Sequence, residues 1–221
     1  MKLVLTGFMA TGKTTVARHL ARRLQWPLID CDAEISARAG KPIHQIFRES
    51  GEVHFRALES IVIAEIASDG RRCAQCGKPR PAVIATGGGA IVDPHNYAAL
   101  RDAGVIVCLS ARPDVIARRV ASGVKVRPML SRRSVPLRQQ IAELMETRRE
   151  AYARAALTID TSDRTIEQVV EAILDAIANR YPAIVNPAPQ GPHLADAQHR
   201  PDRGTVNEEP APKKQMLPTR Q

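Results

Sequence analysis

Leu3-Val4-Leu5-Thr6-Gly7-Phe8-Met9-Ala10-Thr11-Gly12-Lys13-Thr14-Thr15-Val16 is the stretch that decides the fold. Leu3 to Thr6 is an apolar run of strand length, and after it Val16, Leu20 and Leu24 recur at helical spacing. Between them Gly7 to Thr14 spells glycine, four residues, glycine, lysine, threonine. In that context the pattern is a phosphate cradle. Glycines permit a tight turn with backbone N–H groups facing an anion, and the helix N-terminus adds the positive end of its dipole. Lys13 then reaches the β- and γ-phosphates of a nucleotide, and the Thr14 hydroxyl ligates Mg²⁺.

Outward from this unit the same rhythm continues to about residue 180. Further apolar runs at Pro27 to Asp30, Val83 to Thr86, Val105 to Leu109 and Leu157 to Asp160 show little polar alternation. Parallel strands covered on both faces read this way. The last helical pattern, Ile166, Val169, Val170, Ile173, Leu174 and Ile177, opens on a capping box over Thr165 to Gln168. Strands alternating with helices predict an α/β fold, a three-layer open parallel sheet of about five strands with helices on both faces.

The 221 residues allow one domain with a sizeable core and something extra. Only 3% are aromatic, so the core falls to Val, Ile, Leu and Ala. No apolar stretch approaches the roughly 20 residues that span a bilayer. The N-terminal run is too short for a signal-peptide core, so a soluble, cytoplasmic protein without membrane contact is expected. A formal charge of +9 calls for anionic partners, either nucleic acid or phosphorylated small molecules. One Trp, three Tyr and three Phe leave little for base stacking, which argues against nucleic acid.

Two segments break the rhythm. Residues 70–81 form a polar insertion carrying Cys73 and Cys76, half of a zinc-ribbon ligand set with no second half in the chain. A solvated loop with two thiols is the expectation there, whereas Cys31 and Cys108, in apolar strand-like runs, read as buried thiols. Residues 181–221 are rich in Pro, Gln, Asp and Arg with almost no apolar clustering, and a disordered tail is expected.

Chemistry-bearing residues punctuate the ordered part. The second strand ends in Asp30-Cys31-Asp32, at the sheet edge where ligands bind in such folds. Strand alternation puts both carboxylates on one side, suited to a Mg²⁺-bound water and to a hydroxyl proton. The plain alternative is an Asp that caps the next helix. Arg56 lies four residues after Glu52 and three before Glu59, the spacing of solvated helix pairs. Thr86-Gly87-Gly88-Gly89 follows the third strand, and three glycines there imply close backbone approach or a loose turn. Arg127-Pro128 and Arg148 sit in basic stretches, and each arginine alone reads as surface solvation.

Taken in order, the P-loop, Asp-x-Asp, Phe-Arg, Thr-Gly-Gly-Gly, Arg-Pro and Arg-x-x-x-Tyr resemble the shikimate kinase family, over residues 1 to about 180 outside the insertion. The resemblance implies a kinase domain over 1–180 with a mobile lid at about 122–136. It implies transfer of the γ-phosphate of ATP to shikimate, a step of chorismate and aromatic amino acid biosynthesis, with Mg²⁺ as cofactor and shikimate and ATP as partners. Lys13, Asp32 and Arg127 would then be catalytic. ATP would be held by Ala10, Thr11, Gly12, Lys13, Thr14, Thr15, Arg127, Arg164 near the adenine, and Arg118 or Arg119 on the base, with Arg119 favoured. Shikimate would be held by Asp32, Arg56, Gly87, Gly88, Gly89 and Arg148, and Mg²⁺ by Thr14 and, through water, Asp30. A monomer is expected. The rival readings are another kinase of this architecture, such as a gluconate kinase, and a nucleic-acid-binding NTPase. A non-catalytic binding protein is disfavoured by the intact lysine, threonine and aspartate set.

Overall fold

The computed structural model describes residues 1–68, 80–122, 130 and 134–182. Cys73 and Cys76, Arg127 with most of the expected lid, and the tail from 183 lie outside the described residues. The elements run β1 (Lys2–Gly7), α1 (Lys13–Leu24), β2 (Leu28–Asp30), α2 (Cys31–Ala39), α3 (Ile43–Ser68) and β3 (Ala82–Ala85). A short 3₁₀ turn (Ala90–Val92) leads to α4 (Pro94–Ala103), β4 (Gly104–Ser110), α5 (Pro113–Ala121), α6 (Leu137–Glu146), α7 (Arg149–Ala153), β5 (Leu157–Asp160) and α8 (Ile166–Arg180).

The five strands form one parallel sheet in the order β2-β3-β1-β4-β5. Strand alternation divides the core into two layers. Leu3 and Leu5 of β1, Val83 and Ala85 of β3 and Val105, Val107 and Leu109 of β4 pack against α1 and α8. Val4, Ile84 and Ile106 point the other way, onto Ile35 of α2, Ile63 of α3 and Leu100 of α4. A strand covered on both faces cannot alternate apolar with polar, which is why these runs read as continuously hydrophobic. Cys31 and Cys108 are buried free thiols within this core, as expected.

Register places the site. Thr6 and Gly7 of β1 lie beside Cys108 and Leu109 of β4, Leu5 pairs with Ala85, and Ala85 pairs with Asp30. The P-loop, Asp30 and the glycine run after β3 therefore leave the sheet side by side at its carboxyl edge. The expected extension of β2 through Asp32 does not occur. The strand stops at Asp30, and Cys31 already opens α2. Asp30 and Asp32 thus share the edge because a helix starts between them. The capping box expected on α8 is closed reciprocally by Thr165 and Gln168, whereas Tyr181, expected to open the disordered tail, packs against the core.

Leu20 is fully buried between α1, the sheet and α8. Leu20→Ala is expected to lower unfolding free energy by about 2–5 kcal/mol, read from the urea midpoint at constant slope.

Candidate active site

Between β1 and α1 the chain turns through Gly7 at φ 126° and Gly12 at φ 94°, a region that side chains rarely adopt. At Gly7 space is short as well, because a Cβ there would lie 2.1 Å from the Leu109 carbonyl oxygen. The Phe8 carbonyl accepts hydrogen bonds from the Thr11 hydroxyl at 2.8 Å and the Lys13 ammonium at 3.0 Å. No acidic side chain occupies the first turn of α1, so its dipole is left for an anion. Ala10, Gly12 and Lys13 are half-buried around this cradle, with Thr14 and Thr15 exposed and Thr11 buried.

The Thr14 hydroxyl donates to Asp30 Oδ2 at 3.0 Å. Asp30 Oδ1 accepts from the backbone N–H groups of Asp32 and Ala33 at 3.1 and 3.3 Å, capping α2. One carboxylate thus serves both readings of the Asp-x-Asp motif, one oxygen each. A threonine hydroxyl and a carboxylate oxygen, exposed together beside the phosphate loop, are the hard donors that suit a Mg²⁺ ion retaining several waters. The residues fit the metal that the motif implies.

The glycine run is a junction. A Cβ on Gly87 would lie 2.4 Å from Glu59 Oε1 and 3.2 Å from Asp32 Oδ1. One on Gly88 would meet the P-loop itself, 3.3 Å from the Gly7 carbonyl oxygen and 3.4 Å from the Met9 nitrogen. One on Gly89 would sit 2.6 Å from Arg56 Nη2. Of the two readings left open by the sequence, close approach is what the run provides, here to other parts of the protein. The Gly88 carbonyl accepts from Arg148 Nη1 at 3.1 Å and from the Tyr152 hydroxyl. Arg148 is buried, with its guanidinium 5.9 Å from the centre of the Phe8 ring, so it is no surface residue. Burial pushes the Tyr152 phenol up to about 12, which keeps it a donor.

Arg56 is held from two sides. Its Nη1 donates to Glu59 Oε2 at 2.6 Å, and Nε and Nη2 donate to Glu52 Oε1 at 3.2 and 3.1 Å. The spacing alone suggested solvated pairs, and Glu52 does face solvent. Glu59 does not: it is fully buried, and its Oε1 has no hydrogen-bond partner among the described residues. Burial raises its carboxyl above the usual glutamate range, although Arg56 pulls the other way. Sequence reading missed Glu59 as part of the site. The signal was available, since Phe55, Val62, Ile63 and Ile66 form the buried stripe of α3 and Glu59 lies on it.

On the far side of the P-loop, Arg119 bridges two segments. Its Nη1 donates to the Ala10 carbonyl at 3.3 Å and to Thr161 Oγ1 at 3.1 Å, and its Nη2 to the Thr161 carbonyl at 2.7 Å. Arg118 instead faces solvent with Asp114 at 3.5 Å, so of the two candidates only Arg119 reaches the loop. Arg164 is exposed in the same β5–α8 connection. Arg127 lies outside the described residues.

A nucleotide-phosphate loop at the switch point of a parallel sheet, with a carboxylate and two arginines across from it, defines an ATP-dependent P-loop kinase of a small anionic molecule. A family model described as shikimate kinase matches residues 9–178. The chain is 41% identical over 178 residues to a shikimate kinase of Desulforudis audaxviator, covering 80% of this chain and 87% of that one. It is 43% identical over 171 residues to a shikimate kinase of Geobacter sulfurreducens, covering 77% and 87%. Among solved structures, a shikimate kinase from Acinetobacter baumannii in complex with shikimate matches with a TM-score of 0.71 at 32% identity, covering 81% of this chain and 94% of that one. The chain belongs to the shikimate kinase family. A gluconokinase from Sinorhizobium meliloti shares the fold at a TM-score of 0.52 and 17% identity, and at that distance it speaks for architecture alone.

The raised carboxyl of Glu59 has a measurable sign. Below the ordinary glutamate value, about 4.3, folded and unfolded chains both keep that proton. As pH rises past it, the unfolded chain releases the proton first, so the folded state loses stability until Glu59 itself ionises. Glu59→Gln lacks this loss. Urea unfolding between about pH 4 and pH 8 should show wild type losing ground to the variant as pH rises; a constant difference would contradict it.

Proposed function

We propose that this protein transfers the γ-phosphate of ATP to the 3-hydroxyl of shikimate, giving shikimate 3-phosphate and ADP, with the roles assigned below. The observation that carries the reading is the pairing of Arg56 and Arg148 across the glycine run, beside Asp32 and the P-loop. Two arginine forks at one site suit a carboxylate, which each can bond through parallel N–H groups. Gly87, Gly88 and Gly89 draw Asp32, the P-loop and Arg56 close enough together for one acceptor to meet all three.

Asp32 accepts the proton of the attacking hydroxyl. That oxygen forms its bond to the γ-phosphorus as the bond to the β–γ bridging oxygen breaks, and ADP leaves with the electron pair. Lys13 exchanges its bond to the Phe8 carbonyl for the β- and γ-phosphate oxygens, a neutral dipole for an anion. Mg²⁺ bound at Thr14, and through water at Asp30, supplies neutralisation of the phosphate charge. Ala10 to Thr15 cradle the phosphates, while Arg119 and Arg164 serve the base. Arg127 brings a positive charge to the transferred group. Little covalent chemistry is asked of the protein, and positioning with charge stabilisation does most of the work. No helix among the described residues is long and apolar enough to cross a membrane, and a cytoplasmic location is part of this proposal.

The deciding measurement is ATP turnover with and without shikimate, with gluconate as the competing acceptor. Turnover with gluconate and none with shikimate would overturn the reading. Lys13→Ala and Asp32→Asn should abolish turnover. Arg56→Ala or Arg148→Ala should raise KM for shikimate roughly 10- to 150-fold, the loss of one charge-assisted hydrogen bond, and Arg127→Ala should lower kcat instead. Residues 1–180 carry the activity in this reading, and because Tyr181 packs on the core the cut belongs after Pro182. Removing 183–221 should leave kcat and Tm unchanged, and a Tm drop of many degrees would show that the segment stabilises the domain.

A further inference from the structure

The connection from β5 to α8 has no regular structure, yet four of its five residues are clamped. Thr161 receives Arg119 on its carbonyl and hydroxyl oxygens, and its own N–H donates to the Ser110 carbonyl at 2.9 Å. The Ser162 hydroxyl donates to Asp160 Oδ1 at 2.6 Å and accepts from the Arg112 backbone N–H at 2.9 Å. Asp163 takes both ends of the Arg112 fork, Nη1 to Oδ2 at 2.6 Å and Nη2 to Oδ1 at 2.9 Å. Thr165 caps α8. Arg164 alone makes no hydrogen bond or ion pair among the described residues. One helix supplies both grips, Arg112 at the N-cap of α5 and Arg119 in its last turn, and Arg119 also holds the P-loop at Ala10.

We propose that Arg112 is a positioning residue for the nucleotide: through its paired bonds to Asp163 it fixes the 161–164 loop against α5, so that Arg164 is presented to the base that Arg119 meets. The inference rests on the assignment of Arg119 and Arg164 to the nucleotide base made above. A single exposed ion pair would contribute little, but three features lift this one. Its geometry is bidentate, its backbone N–H holds the adjacent Ser162, and the loop it holds already borders the phosphate cradle through Arg119. Asp163, being held deprotonated by Arg112, keeps the bridge intact across the physiological range. Because the bridge is remote from Asp32, Arg56 and Arg148, its loss acts on ATP and not on shikimate.

The test is steady-state kinetics on the full-length protein with each substrate varied in turn. Arg112→Ala and Asp163→Ala should each raise KM for ATP by about two- to fivefold, the range of an exposed ion pair, with kcat and KM for shikimate unchanged. The double variant should be no worse than either single one, and the exchange R112D with D163R should restore part of the loss. Arg112→Lys, which keeps the charge but not the fork, should fall between. Arg119→Ala is measured alongside. If it raises KM for ATP while both alanine variants at 112 and 163 do not, this inference is overturned and the base assignment stands. If none of the three changes KM for ATP, the base assignment fails and this inference with it. An equal rise in KM for shikimate would also overturn it, because the bridge would then be a general support of the fold.

Discussion

Everything at the carboxyl edge of the sheet depends on the absence of side-chain volume at Gly87, Gly88 and Gly89. Each faces a different wall: the α3 glutamate with Asp32, the P-loop backbone, and the Arg56 guanidinium. A methyl group at any of the three would have to displace a charged group or a main-chain atom. The P-loop and the cluster of Asp32, Glu59 and Arg56 are therefore joined through bare backbone, with no packing layer between them. Protein interiors transmit small displacements because they are close-packed, and here the packing unit is the peptide group itself. That accounts for the short path between the P-loop and the residues proposed to meet the acceptor.

The charges around this junction share one arrangement. Lys13 rests on the Phe8 carbonyl, Arg148 on the Gly88 carbonyl and Arg56 on Glu52 and Glu59. Each cation is already desolvated in part and already aimed, so an arriving anion replaces an acceptor instead of stripping a hydration shell. Such preorganisation is what makes fixed charges effective in a site closed to water. The acceptors differ in kind, however. Glu52 is exposed and can return to solvent, whereas Glu59 is sealed beneath the guanidinium and has no other place to go. Glu52 is the exchangeable partner and Glu59 the permanent one. Burying that glutamate is costly, and Arg56 offsets the cost while being oriented by it.

How much of this the sequence disclosed follows from the range of the forces involved. The P-loop, the last helix and the alternation of strands with helices rest on local rules, glycine turns, caps and periodicity, and these were readable residue by residue. The same holds for β5, whose limits Leu157 and Asp160 coincide with its apolar run. What failed to show was anything decided by a partner distant in sequence. Asp32 looked like the end of a strand because alternation is blind to a helix that starts one residue earlier. Glu59 and Arg148 looked solvated because their burial is provided by Gly87 and by Phe8 and Gly88, dozens of residues away. Arg118 and Arg119 were indistinguishable in sequence, and only the turn of α5 separates the one facing solvent from the one facing Ala10.

The central position of β1 also bears on how the molecule is made. Lys2 pairs with Ala82 on one side and Gly104 on the other, so the strand that leads into the phosphate loop has both neighbours far along the chain. At ribosomal rates of about 5–20 residues per second, β1 emerges roughly 5–20 s before β4 can pair with it. For that interval an apolar strand with two open edges waits for its partners, and loop closure over such spans is slow compared with forming α1 locally. The nucleotide site is thus among the first parts translated and among the last to take shape, since Gly7 is fixed only when Leu109 arrives beside it. Nascent chains shorter than about 110 residues carry the whole P-loop motif without the strand that flanks it at Leu109.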